Sequence, residues 1–186
     1  IQPVGLHSGK DDANDNSASI KRSPISLDGA QFFQLDGDEF DMANANYTIA
    51  ARIRTRRGGT LFAKTRDHND WVAQGVSLFI REGRLTVDVG WVGAVSAKKK
   101  INDGKFHDVV ARFSKGRVSL FIDGKHSGAG ELQPTEKLKD SVIRIGRTNE
   151  NFPSKTGFEG TVDDLRFYQR LLSKEEVATY SSNKKV

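Results

Sequence analysis

The chain has 186 residues, 36% hydrophobic and 28% charged, with 18 glycines and no cysteine. That length supplies one domain with a core of ordinary size, and the missing cysteine excludes disulfides, thiolate metal sites and a cysteine nucleophile. A net charge of +5 admits an anionic partner without requiring one, and no window reaches the length of an apolar membrane span.

The chain opens Ile1-Gln2-Pro3 and its only methionine is Met42, so it reads as a processed or excised piece of a longer protein. Residues 1–23 read as an arm or loop, because 8–22 are dominated by Ser, Asn, Asp and Lys. From residue 24 onward, short alternating stretches separated by glycine turns predict an all-β sandwich over 24–186. Strands are expected at 31–35, at 47–54 and at 60–64. In the second of these, Tyr47, Ile49, Ala51 and Ile53 alternate with Thr48, Ala50, Arg52 and Arg54. A turn at Glu82-Gly83 pairs Ile80 with Leu85, Leu78 with Val87 and Val76 with Val89, which puts all six on one face. Phe79, Arg81, Arg84, Thr86 and Asp88 then share the other face. Further strands follow at 106–114, 142–146 and 158–168, with a type I′ hairpin signal at Asp123-Gly124. Ser173 caps a helix over 174–180, and Glu176 completes a capping box.

Four stretches in this order resemble one family: Asn102-Asp103-Gly104-Lys105-Phe106-His107-Asp108-Val109-Val110, Leu120-Phe121-Ile122-Asp123-Gly124-Lys125, Ile143-Arg144-Ile145-Gly146-Arg147, and Phe158 through Tyr168 with Val162-Asp163-Asp164 inside it. The tail from Arg170 to Val177 completes the pattern. The chain resembles the laminin-G-like, concanavalin A-like lectin/glucanase superfamily, in its bacterial branch. One departure stands out: Phe106-His107-Asp108 replaces the family's tryptophan-histidine-histidine run, keeping a ring and losing the second histidine. The resemblance implies a two-sheet antiparallel jelly-roll β-sandwich with a short C-terminal helix, placed outside the cell or on its surface. It also implies a glycan- or protein-binding role and one calcium ion. The family's calcium position falls on Asp163, with Asp28 as an N-terminal contributor; the alternative for Asp163 is a turn cap or a pair with an arginine such as Arg166. The acidic run Asp36-Gly37-Asp38-Glu39-Phe40-Asp41 lacks the spacing of the twelve-residue calcium loop and reads as a turn.

Sugars offer an apolar face and a rim of hydroxyls, so their sites combine exposed rings with amides, carboxylates and guanidinium groups. Arg66, Asp67, His68, Asn69 and Trp71 supply that chemistry in one loop, Trp91 in a second, and Asn149 and Asn151 in a third. Trp71 also reads as a core residue opening the next strand. The arginines at 52, 54, 56, 57, 81, 84 and 112, with Lys98-Lys99-Lys100, suit a sulfated or uronic-acid polysaccharide, or form a solvated face countered by Asp88, Asp108 and Glu82. No nucleic-acid motif is present. The strands carry no clustered acidic pair of the glycoside hydrolase kind, and His7, His68, His107 and His126 lack metal-ligand spacing. The sequence therefore predicts a non-catalytic carbohydrate-binding module, with a protein-interaction or adhesion domain as alternative and a glycoside hydrolase behind both.

Overall fold

The computed structural model describes residues 17–20, 24–38, 40–68 and 70–182. Among these, twelve strands run in chain order: β1 (Ser17–Ile20), β2 (Ile25–Asp28), β3 (Phe33–Asp36), β4 (Tyr47–Arg66), β5 (Val76–Arg81), β6 (Arg84–Val89), β7 (Gly93–Lys100), β8 (Phe106–Ser114), β9 (Arg117–Ile122), β10 (Lys125–Glu131), β11 (Ser141–Ile145) and β12 (Glu159–Tyr168). The helix α1 (Lys174–Ser182) closes the series. β1 lies inside the stretch that the sequence marks as an arm; it pairs with β12, so the sandwich takes in part of that stretch.

The organising strand is β4. Its first half pairs with β8 on one side and β12 on the other. Its second half pairs with β5 and β11. One sheet thus runs β10-β9-β8-β4-β12, with β1 and β2 end to end along the far edge of β12. The second runs β3-β11-β4-β5-β6-β7. The sequence predicts two separate strands at 47–54 and 60–64; the structure joins them, because Gly58 and Gly59 (φ 78° and 106°) turn the strand out of one sheet into the other. A side chain at Gly59 would meet the Gly157 carbonyl at 1.9 Å, so only glycine fits that corner. Thr55 braces it, its hydroxyl accepting the Arg57 and Gly58 N–H groups and donating to the Glu159 carbonyl.

The first hairpin adopts the expected register, and the second turns at Asp123-Gly124 as expected but slips by a bulge between His126 and Gly128. Glu82 and Gly83 have φ of 53° and 79°, and Asp123 and Gly124 have 52° and 75°, the positive pair a type I′ turn requires. Val76, Leu78 and Ile80 stand opposite Val89, Val87 and Leu85. All six are buried in the core between the sheets, with Ile49, Ile53, Val109 and Leu120 opposing them.

The two outer faces are covered differently. α1 lays Val177 and Tyr180, with Leu172, over Ala50, Val110, Phe121 and Tyr168 of the first sheet. Its start is the predicted capping box: the Glu176 N–H donates to the Ser173 hydroxyl at 3.1 Å and the Ser173 N–H donates to the Glu176 carboxylate at 2.6 Å. Over the second sheet, Phe79 is fully buried beneath Phe152 and Trp71. Phe106, the ring that stands in for the family tryptophan, lies between the guanidinium groups of Arg52 and Arg54 at 5.1 and 4.8 Å. His107 bridges Asp123 (2.9 Å) and Asp103 (3.1 Å), clamping the turn before β8 to the β9–β10 hairpin.

Candidate functional site

A cleft of about 470 Å³ opens where the β6–β7 loop meets the segments around Trp71 and Asn151. Trp71, Asp88, Val89, Trp91, Val92, Gly93, Asn151 and Pro153 line it. Residues from all three loops singled out in the sequence therefore meet there, with different roles.

Trp91 is 75% exposed. It sits in a three-residue loop between the paired residues Val89 and Gly93, closed by the Val92 N–H donating to the Val89 carbonyl at 2.9 Å. Its φ of 62° lies in the left-handed region, which bulky side chains avoid. The backbone on either side is fixed. The Gln74 N–H donates to the Gly90 carbonyl and the Gly90 N–H to the Gly75 carbonyl, at 2.9 and 2.8 Å. A side chain at Gly90 would meet the Val72 carbonyl at 2.0 Å, so that glycine is dictated by the close approach of the neighbouring turn. A pinned backbone thus presents a free indole, the reverse of a ring buried for packing.

Trp71 behaves in the opposite way. It is 6% exposed, packed edge-to-face on Phe152 with centroids 4.9 Å apart, and Phe152 packs likewise on Phe79. The core alternative for Trp71 is the one the structure shows, and only its edge reaches the cleft. Burial raises the Asp88 carboxyl above the ordinary aspartate value, while the Trp71 indole N–H and the charge of Arg81 pull the other way. Asp88 thereby joins the cleft as its carboxylate. It belongs to none of the three loops, although its place on the outer face of β6 is readable from the hairpin register, three residues before Trp91.

The remaining predicted residues stitch loops together. The Asn151 side-chain oxygen accepts the Trp71 N–H, and its amide donates to Asp70 at 3.2 Å. Asn149 is buried at 1% exposure, its amide donating to the carbonyls of His68 and Arg66. Asp67 pairs with Arg144 at 2.9 Å, and the His68 Nδ1 accepts the Asp70 N–H at 3.1 Å. Arg66, Asp67 and His68 are exposed outside the lining of the cleft. Asn69 lies outside the described residues.

The expected calcium ligands do not converge. Asp28 Oδ1 accepts the N–H groups of Ala30 and Gln31 at 2.9 and 3.2 Å, and these bonds hold its carboxyl below the usual aspartate value. Asp28 stands opposite Glu159, four residues along β12 from Asp163, which is about 13 Å at the rise of a strand. Asp163 occupies a bulge in β12 and pairs with Arg52 at 3.3 Å. Arg52 also reaches Asp108 at 3.5 Å. Among the described residues no three His, Asp or Glu side chains gather as a metal site. The two aspartates thus do not fit a shared hard cation, which needs several oxygens at about 2.3–2.6 Å. At the acidic turn around Asp38 the positive charge is Lys64, 3% exposed, whose ammonium donates to the carbonyls of Gly37 (2.6 Å) and Phe40. Burial lowers its pKa, and Asp41 and Asp38 oppose that shift.

Solved structures share this architecture. A carbohydrate-binding module (CBM40) of the Ruminococcus gnavus IT-sialidase, bound to α2,3-sialyllactose, matches with a TM-score of 0.68 at 14% identity, over 88% of this chain and 98% of that one. Domain 4 of AbnA, an extracellular arabinanase of Geobacillus stearothermophilus in complex with arabinotriose, gives 0.66 at 18% identity, covering 98% and 82%. The mouse laminin α1 chain, domains LG4-5, gives 0.62 at 20% identity, covering 83% and 44%. At these identities the likeness concerns the fold. The laminin G family model described as the concanavalin A-like lectin/glucanases superfamily matches residues 27–178, and the chain belongs to that family.

Proposed function

We propose that this domain is a non-catalytic carbohydrate-binding module of a larger extracellular or cell-surface protein, and that the cleft beside Trp91 is its sugar site. The observation that carries the reading is the exposed indole of Trp91 on a backbone fixed in the left-handed region. Strain kept at an exposed ring marks a position that serves a ligand better than it serves the fold. A sugar stacks its C–H face on the indole, while Asp88 and the exposed amide of Asn151 accept and donate to its hydroxyls. The cleft is lined by one carboxylate, Asp88, whereas glycoside hydrolysis uses two flanking the scissile bond. Three large apolar residues are exposed among those described, Phe32, Trp91 and Val92, less than a broad protein interface presents. The sialyllactose and arabinotriose complexes of similarly folded domains support a glycan partner. Calcium takes no part in the recognition proposed here.

The test is a glycan array probed with the wild-type domain and with Trp91→Ala, with and without calcium. Binding by the wild type that drops about tenfold in the variant, as expected for a lost stacking face, supports the site. Equal binding by both proteins removes Trp91 from it.

A further inference from the structure

The face of β7 that continues from the cleft is exposed along its whole length. Val95 and Ala97 turn inward, while Ala94, Ser96, Lys98 and Lys100 face solvent. Ala94 stands opposite Asp88 and Lys100 opposite Arg84, so the strip runs about 13 Å, with a bulge in β7 between Ser96 and Lys100. Its near end is Trp91 and Val92. Its middle is flat, with Ala94 opposite Asp88 and the Ser96 hydroxyl bonded to that of Thr86 at 2.9 Å.

Its far end is basic in a way the register makes specific. Arg84 of β6 stands directly opposite Lys100 of β7 on one side and Arg81 of β5 on the other. Like charges in direct cross-strand register repel. Part of the basic set is neutralised or covered: Arg52 by Asp108 and Asp163, Arg57 by Glu159, Lys99 by Asp123 at 2.6 Å, while Arg112 lies over Phe121. Arg84, Lys98 and Lys100 form no ion pair with a described residue. Arg81 lies over the Phe79 ring at 5.6 Å, and its charge opposes the rise that burial imposes on the Asp88 carboxyl.

We infer that the strip is the extension of the sugar cleft and that it takes an anionic polysaccharide, sulfated or uronic, several sugars long. One sugar stacks on Trp91, the chain crosses Ala94 and Ser96, and its sulfate or carboxylate groups meet Arg81, Arg84, Lys98 and Lys100. Guanidinium groups match both anions bidentately, and the bound anions relieve the repulsion that the free strands carry. The inference rests on the sugar-site reading of Trp91 and adds to it the charge and length of the ligand.

The experiment measures binding of dextran sulfate and of unsulfated dextran by calorimetry at physiological salt, with thermal melts of every variant. The wild type binds dextran sulfate at least tenfold more tightly than dextran. Lys100→Glu places a carboxylate opposite Arg84; it loses that preference about tenfold while its Tm is no lower than the wild type's. Lys174→Glu makes the same charge change on α1, over the other sheet, and keeps the preference. Trp91→Gly weakens binding of both polymers. Equal losses in Lys100→Glu and Lys174→Glu reduce the effect to net charge and overturn the inference. Equal binding of the two polymers by the wild type overturns it while leaving the sugar site standing. Failure to bind either polymer, or any glycan of an array, overturns both.

Discussion

Replacing Trp91 with glycine separates a ring kept for the fold from a ring kept for a ligand. A fully buried tryptophan hides roughly 250 Å². Trp91 is 75% exposed, so about a quarter of that area is at stake, worth about 1.5 kcal/mol at about 25 cal/mol per Å². Against this, the left-handed backbone costs a bulky residue about 1–2 kcal/mol that glycine does not incur, while glycine adds about 0.5–1 kcal/mol of unfolded-state entropy. These nearly cancel. Trp91→Gly is therefore expected within about 1 kcal/mol of the wild type in urea denaturation, and Trp91→Ala about 1 kcal/mol below Trp91→Gly, because alanine keeps the strain. Both should lose glycan affinity about tenfold in calorimetry. A drop of about 3 kcal/mol or more in Trp91→Gly, the cost of emptying a buried aromatic site, refutes the reasoning: the indole would then be packing.

The buried partner gives the opposite result, since Trp71→Ala should cost about 3–5 kcal/mol in the same denaturation assay; a loss below about 1 kcal/mol contradicts its place against Phe152. Burial raises the Asp123 carboxyl, but bonds from Lys99, His107 and the Asp108 N–H outweigh it and leave the group below its ordinary value. Its stability contribution is thus present above the unfolded value and lost as pH falls through the folded one, so Tm drops as pH falls below about 4. Asp123→Asn keeps the type I′ turn, starts lower at neutral pH and falls less steeply; parallel curves contradict this. Ser173→Ala removes the helix cap and should cost about 1 kcal/mol, read as a Tm shift of a few degrees. Adding calcium or EDTA should leave Tm unchanged, and a calcium-dependent rise abolished by Asp163→Asn is the outcome that defeats this expectation.

Much of the architecture is legible where local chemistry dictates it. The two-residue turn at Glu82-Gly83 fixes one register, the type I′ signal at Asp123-Gly124 places a second turn, side-chain parity then assigns every inward residue of β5 and β6, and the capping box sets the start of α1. What stays hidden depends on contacts distant in sequence. The bend of β4 is required by the Gly157 carbonyl, the bulge at Asp163 appears only against Arg52, and parity alone puts Asp163 and Asp164 on opposite faces of a regular strand. For the site, the chemistry of the three loops is readable, but the burial of Trp71 is decided by Phe152, 81 positions later, Asn149 proves to be a loop tie, and Asn151 ties Trp71 and Asp70 while staying exposed at the cleft. Trp91 is readable from its flanking glycines, although Gly90 serves the Val72 carbonyl and not mobility.

The position of the cleft follows from how a two-sheet sandwich spends its apolar residues. The inner faces close on each other. α1 shields one outer face with Val177 and Tyr180, and the segment around Phe152 shields the other over Phe79. Among the described residues, what remains outside this cover is the β7 side of the second sheet, where Trp91 and Val92 project beyond Asn151 and Pro153 and the outward residues of β7 are exposed. A ligand approaching either shielded face would have to displace packed rings, whereas one laid along β7 displaces water alone. Because the β6–β7 register sets Ala94 opposite Asp88, Ser96 opposite the buried Thr86 and Lys100 opposite Arg84, the strand pairing that builds the core also sets the order in which a polysaccharide would meet the ring, the Ser96 hydroxyl and the charge.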